Sequence, residues 1–197
     1  MGKRGTVSVK NDRYYFDGDF HVIYPNTPIC NQDGDLCGVT NPRDMTYVHS
    51  YGGEAPFFAG IAKGKLLATR CDNPDCESGY KSINIPFRTH CPDCLDKATV
   101  IDLTQVANDT AKVHTFMLCE RSGAFNTLPK PIKFINVEFQ GAATILMSYL
   151  PVGEPQIGMR VVPIFRTVEP TYTITDLAFV PEGTAAADLP EGFTFSK

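Results

Sequence analysis

Four cysteines constrain this chain more than any other feature. Cys71-Asp-Asn-Pro-Asp-Cys76 and Cys91-Pro-Asp-Cys94 form two close pairs with fourteen residues between them, the layout of two metal knuckles joined by a hairpin. Each pair can deliver two thiolates to one ion without strain, and together they complete a tetrahedral sulfur shell that suits zinc. Iron in a rubredoxin-type site is the rival metal. Four sulfur ligands leave no open coordination position, so the expected role of Cys71, Cys76, Cys91 and Cys94 is to staple a small domain and not to activate water. His90 precedes Cys91 and reads as a neighbour of the knuckle, because the shell is already full.

The chain has seven cysteines, and the other three lack such a pattern. Cys30 and Cys37 have no second pair and read as ordinary thiols. Cys119 lies in a strand pattern, where a small buried side chain is the simplest reading. A Cys119 nucleophile with His114 as base is disfavoured, since positions five apart on a strand face opposite sides of the sheet. His21 and His49 have no carboxylate or cysteine spacing around them. Glycine-rich phosphate loops, paired metal carboxylates and Gly-x-Ser-x-Gly elbows are absent from the sequence. These observations point away from a self-sufficient enzyme.

The 197 residues are 43% hydrophobic and 20% charged, the ordinary globular range. Eighteen Lys plus Arg against twenty-two Asp plus Glu leave a formal charge of −4, with no basic excess to neutralise phosphates. The N-terminus runs into Ser8, Lys10, Asn11, Asp12 and Arg13 and not into an apolar stretch, so no signal peptide is expected. The most apolar window, 142–150, is far shorter than the roughly 20 residues of a spanning helix. The expectation is a cytoplasmic protein without a membrane partner, whose clustered thiolates meet a reducing environment and bind metal.

Along the chain, alternation from Thr6 to Tyr24 around Asn11-Asp12 and Asp17-Gly18 predicts a small β-meander. Residues 25–53, rich in Pro, Asn, Asp and Gly, predict a loop or irregular arm. One short helix follows, with Pro56 in its first turn, Phe57, Phe58 and Ile61 on one face and Gly64 at its end. Beyond Cys94 the runs 99–103, 111–120, 132–139, 142–150, 159–168 and 171–180 read as antiparallel strands of a small barrel, with no helix among them. The tail from Pro181 has little to bury and is expected to be mobile. The divisions are an N-terminal β-rich arm (1–53), a helix and rubredoxin-like zinc ribbon (54–97), an OB-fold antiparallel barrel (98–180) and a C-terminal tail (181–197), a mainly β chain.

Five stretches carry a resemblance. Phe57-Phe58 with Gly64-Lys65-Leu66-Leu67-Ala68-Thr69-Arg70-Cys71, then Pro86-Phe87-Arg88-Thr89-His90-Cys91-Pro92-Asp93-Cys94, resemble the zinc-ribbon plus OB-fold family of small subunits that accompany thiolases. Lys112-Val113-His114-Thr115-Phe116, Pro131-Ile132-Lys133-Phe134-Ile135-Asn136-Val137 and Gln156-Ile157-Gly158-Met159-Arg160-Val161 are similar to its barrel strands. The resemblance covers about residues 55–180. It implies a non-catalytic subunit in a hetero-oligomer with a thiolase-like catalytic partner, structural Zn2+, and a CoA ester held or shielded between the two. The benzoylsuccinyl-CoA thiolase of anaerobic toluene degradation has a small subunit of this kind. Two features depart from the family: four residues separate the first pair of cysteines where two are more usual, and Leu95 stands where a glycine commonly follows the second pair. The N-terminal fifty residues lie outside the resemblance and read as extra docking surface.

If a CoA ester binds, its phosphates need cations, and Arg70, Lys81, Arg88, Lys130 and Lys133 are available. Arg88, with Phe87 beside it, is the first choice. The alternative is a nucleic-acid-binding ribbon and OB-fold, since both modules serve that role elsewhere. Glu120, Glu138, Glu154, Glu169 and Asp176 punctuate the barrel where a basic groove would be needed, and argue against it.

Overall fold

Asn11 and Asp12 both adopt left-handed backbone, φ 50° and 59°, the conformation a two-residue hairpin turn demands and one that short polar side chains tolerate. They join β1 (Thr6–Lys10) to β2 (Arg13–Asp17) in an antiparallel pair running from Thr6↔Asp17 to Lys10↔Arg13. The computed structural model describes residues 5–77, 79–125 and 127–196, and divides the chain into two units, 1–50 and 51–197.

In the first unit β3 (His21–Ile23) pairs with β6 (Arg43–Met45), and a second hairpin, β4 (Pro28–Cys30) with β5 (Leu36–Val39), lies between them in sequence. The expected meander is therefore only its first hairpin, and the expected irregular arm holds strands. Its turn residues explain this: Asn31 Oδ1 accepts the amides of Asp33 (3.0 Å) and Asp35 (2.8 Å), while Gly34 supplies φ 90°. Turn chemistry that reads as loop in sequence is here the tip of a hairpin. All three ladders are two-stranded, and no residue from 5 to 50 is buried.

The second unit begins with a 3-10 turn at Gly52–Glu54 and α1 (Ala55–Ile61), which carries Pro near its first turn and buries Phe57, Gly60 and Ile61. Gly64, at φ 76°, lets the chain reverse after the helix, with the Lys65 amide bonded to the Gly60 carbonyl. β7 (Leu67–Arg70) then runs between β8 (Ile83–Asn84) and β9 (Thr99–Asp102).

A second helix, α2 (Thr104–Thr110), corrects the expectation of a single one. Asp102 Oδ1 accepts the Thr104 amide at 3.0 Å, and the Leu103 amide bonds the Leu66 carbonyl, so the chain is turned into the helix directly after β9. Seven residues with one fully buried position, Ala107, give too little apolar periodicity to read.

β10 (Lys112–Cys119), β11 (Ile132–Glu138) and β12 (Leu146–Tyr149) form one three-stranded sheet, and β14 (Leu177–Pro181), β13 (Val161–Arg166) and β15 (Phe193–Phe195) another. The Val113 amide bonds the Met159 carbonyl (2.9 Å), the Gly158 amide the Val113 carbonyl (2.7 Å), and Ser148 Oγ the Leu177 carbonyl (3.0 Å), joining the two sheets at both sides. Among the described residues no continuous ladder closes them into a ring. The molecule is mainly β with two short helices.

The tail is not free. β15 pairs with β13, from Ile164↔Phe195 to Arg166↔Phe193, and Phe193 is buried. The sparse apolar content after Pro181 is concentrated in Phe193 and Phe195, enough to add an edge strand. Behind the sheets the main core gathers Ile61 and Ala107 from the two helices, Val113, Ile135 and Phe165 from the strands, and Leu66 and Leu103 from the turns beside them. A second cluster places Phe125 edge-to-face on Phe134, ring centroids 4.9 Å apart, with Tyr149 beside them. Burial pushes the Tyr149 hydroxyl well above its ordinary pKa, and it donates to the Thr175 carbonyl at 2.9 Å. No helix among the described residues is long and apolar enough to cross a membrane.

Candidate metal centre

The strand β7 delivers the first knuckle. Cys71 follows its last residue, bonded through its amide to the Ser82 carbonyl and through its carbonyl to the Lys81 amide. Asn73 caps the turn that follows, its Oδ1 accepting the Asp75 amide at 2.9 Å while the Cys76 amide bonds its carbonyl. The four-residue spacing therefore folds into an ordinary side-chain-capped turn. The second knuckle is tied by the Cys91 amide to the Asp96 carbonyl (2.9 Å) and the Leu95 amide to the Cys91 carbonyl (3.0 Å). Leu95 holds φ 64°, the left-handed conformation that explains the usual preference for glycine there. The knuckles are linked by Asn73 Nδ2 donating to Asp96 Oδ2.

The four sulfurs of Cys71, Cys76, Cys91 and Cys94 lie within 4.8 Å of one another, three of the residues buried and Cys94 half-buried. Cys71 and Cys94 sulfurs are 3.8 Å apart, and those of Cys76 and Cys91 3.9 Å. A tetrahedron with Zn–S bonds of about 2.3 Å has edges of about 3.8 Å, so the Cys71–Cys94 and Cys76–Cys91 pairs already stand at the separation that one zinc ion requires. The buried cluster is compatible with structural Zn2+. His90 is outside it, with Nδ1 against Thr89 Oγ1.

Sequence reading passed over Gly79. A Cβ there would stand 2.7 Å from Cys76 Sγ and 2.8 Å from both Cys91 Sγ and Asp93 Oδ2. The backbone comes this close because the Gly79 amide donates to Cys76 Sγ at 3.2 Å. Amide donation matters equally at Cys91, where the Cys94 and Asp93 amides pull the thiol down to about 7. Burial pushes Cys76 the other way, up to about 12. Without a cation the four groups cannot all ionise in so small a space; a divalent ion removes the conflict.

Beside the sulfurs, Asp72 accepts from Arg70 (2.8 Å) and Lys81 (2.9 Å), which hold its carboxyl well below the usual range. These two cations are thus engaged in the ribbon, and Lys133 is held by Glu154 and the Gly153 carbonyl. Phe87 is a core residue, 5% exposed, with its ring 6.3 Å from that of Phe57. Arg88 is exposed; its amide bonds Thr69 Oγ1, and its guanidinium has no ion pair among the described residues. His114 pairs with Glu138 at 2.9 Å, and the half-buried Cys119 thiol donates to the Arg121 carbonyl. Cys30 and Cys37 are exposed thiols.

A cleft of about 630 Å³ opens between α2, β11 and the segment before β12, lined by Lys112 and Arg160 but also by Asp109 and Glu138. Arg160 is occupied by the carbonyls of Ala111 and Asn108. The mixed charge gives no built anion site.

No protein-family model matches the sequence, and no curated protein matches it. Among solved structures the chain is similar to a protein of unknown function from the DUF35 family of Sulfolobus solfataricus, at 20% identity and a TM-score of 0.47, over 68% of this chain and 90% of that one.

Proposed function

We propose that this chain is a non-catalytic, zinc-binding subunit of a thiolase-type acyl-CoA processing complex, a rubredoxin-like ribbon followed by an OB-type barrel that braces its catalytic partner and helps hold the CoA ester. The observation that carries the reading is the closed four-sulfur site. Cys71, Cys76, Cys91 and Cys94 would fill all four positions of a tetrahedral ion and leave none for water or substrate, so a metal held there would serve the fold. The resemblance of residues 55–180 to small thiolase-associated subunits supplies the partner class. The two bonded three-stranded sheets are consistent with an OB-type barrel.

Arg88 is the phosphate contact of this proposal, as an exposed guanidinium without an ion pair among the described residues, set between β8 and the second knuckle. Zinc when bound supplies only a tetrahedral clamp. The chain's own residues position the ribbon surface, through the Asn73–Asp96 link and the Arg70–Asp72–Lys81 cluster.

The test is association. Purified from its source through a C-terminal tag, the chain is expected to co-elute with an acyl-CoA condensing or thiolytic enzyme identified by peptide mass, benzoylsuccinyl-CoA being one substrate to assay. Elution without such a companion contradicts the proposal. Within the complex, Arg88→Ala is expected to weaken acyl-CoA affinity several-fold, as loss of a charge-assisted contact does; unchanged affinity removes Arg88.

A further inference from the structure

We propose that the free edge of β2 pairs with the same edge of a second copy of this chain, forming a four-stranded antiparallel sheet across a two-fold axis at Tyr15. The hairpin invites it. In the β1–β2 register Val7 is opposite Phe16 and Val9 opposite Tyr14, which places these four side chains on one face, 38% to 61% exposed. A lone two-stranded ribbon is marginal in water, whereas three or more strands with an apolar face sustain themselves. Among the described residues, β2 has no strand on its second side.

Backbone parity and sequence both select the arrangement. The two-residue turn makes Lys10↔Arg13 the hydrogen-bonded pair that closes the hairpin, and such pairs alternate along the ladder. The backbone groups of Tyr14 and Phe16 therefore point away from β1. With a two-fold axis at Tyr15, Tyr14 of one copy faces Phe16 of the other, outward donor to outward acceptor, and Arg13 faces Asp17. The segment Arg13-Tyr-Tyr-Phe-Asp17 is thus self-complementary when read antiparallel, with opposite charges at both ends and aromatic pairs between them. Eight apolar side chains, four from each hairpin, then share one face of the sheet. A slip of two residues sets Arg13 or Asp17 against Tyr15 and loses both charge pairs. The free edge of β1 has no such match, since an axis at Ser8 sets Thr6 against Lys10.

The experiment uses the zinc-loaded full chain without any companion, so its outcome is separate from that of the association test above. Sedimentation equilibrium at tens of micromolar is expected to give a dimer of twice 21.7 kDa. Arg13→Asp alone and Asp17→Arg alone turn both end pairs repulsive and are expected to raise the dimer dissociation constant about tenfold or more. The double variant R13D/D17R restores opposite charges and is expected to restore the dimer, which a hairpin damaged by either substitution would not do. A monomeric parent chain, single variants as dimeric as the parent, or a double variant that stays monomeric each overturns the proposal.

Discussion

The two units of this chain are built from the same local element, the antiparallel strand pair, and differ in what lies behind it. In residues 5–50 the six strands make three separate two-stranded ladders with nothing buried, and thirteen large hydrophobic side chains there are exposed. In residues 51–197, β11 buries Ile132, Phe134, Ile135 and Val137 against two helices and a second sheet, while β7 ends in a cluster of sulfurs. Turn chemistry such as Asn11-Asp12 shapes a hairpin without a core. Stability needs a further layer, a metal, or another chain.

The comparison can be broken most forcefully at the metal. Cys76→Ser removes one of four ligands, and structural zinc contributes on the order of 10 kcal/mol to small metal-stapled domains. Amide hydrogen exchange in residues 67–103 is expected to lose its protection, with exchange in 5–50 the same in both proteins. Protection that survives in 67–103 would show that packing alone holds the ribbon.

Next in size is the apolar core. Phe165→Ala empties a fully buried ring position between β14 and β15 and is expected to cost about 3–5 kcal/mol in denaturant unfolding of the second unit. Leu36→Ser on β5, at a side chain 73% exposed, is expected to stay within about 0.5 kcal/mol. A large effect there would mean that the first unit has a core of its own.

The ribbon also carries a pH dependence of known sign. Arg70 and Lys81 depress the folded pKa of Asp72 below its unfolded value of about 3.9, so their contribution is fully present above that value and is lost as pH falls through the depressed one. Asp72→Asn is expected to flatten the acid limb of ribbon stability below about pH 4 while changing little at pH 7. An unchanged acid limb would assign that limb to other groups.

How much of this was legible follows from where each signal resides. The metal site is written in the spacing of Cys71, Cys76, Cys91 and Cys94, because close pairs of ligands are local in sequence. Gly79 was not legible, since its need for a bare Cα arises only when Cys91 and Asp93 are folded against it. The apolar run 132–139 announced β11. α2 was missed because seven residues around Ala107 are too few for a helical period, and its start depends on Asp102 turning the chain. β15 and the β4–β5 hairpin were missed for a shared reason: three- and four-residue strands beside Pro, Gly and Asp look like loops until their partners are known. The burial of Phe87 beside the exposed Arg88 was not legible either, because the two are sequence neighbours outside any regular element whose period would separate a core position from a surface one.

The most direct measurement is the metal content of the purified full chain, by mass spectrometry of the elements together with a visible absorption spectrum. One zinc ion per chain and a colourless protein are expected from a buried four-sulfur shell at these separations. Iron with a visible thiolate band, or less than about a tenth of an equivalent of any metal, would contradict a zinc-stapled ribbon.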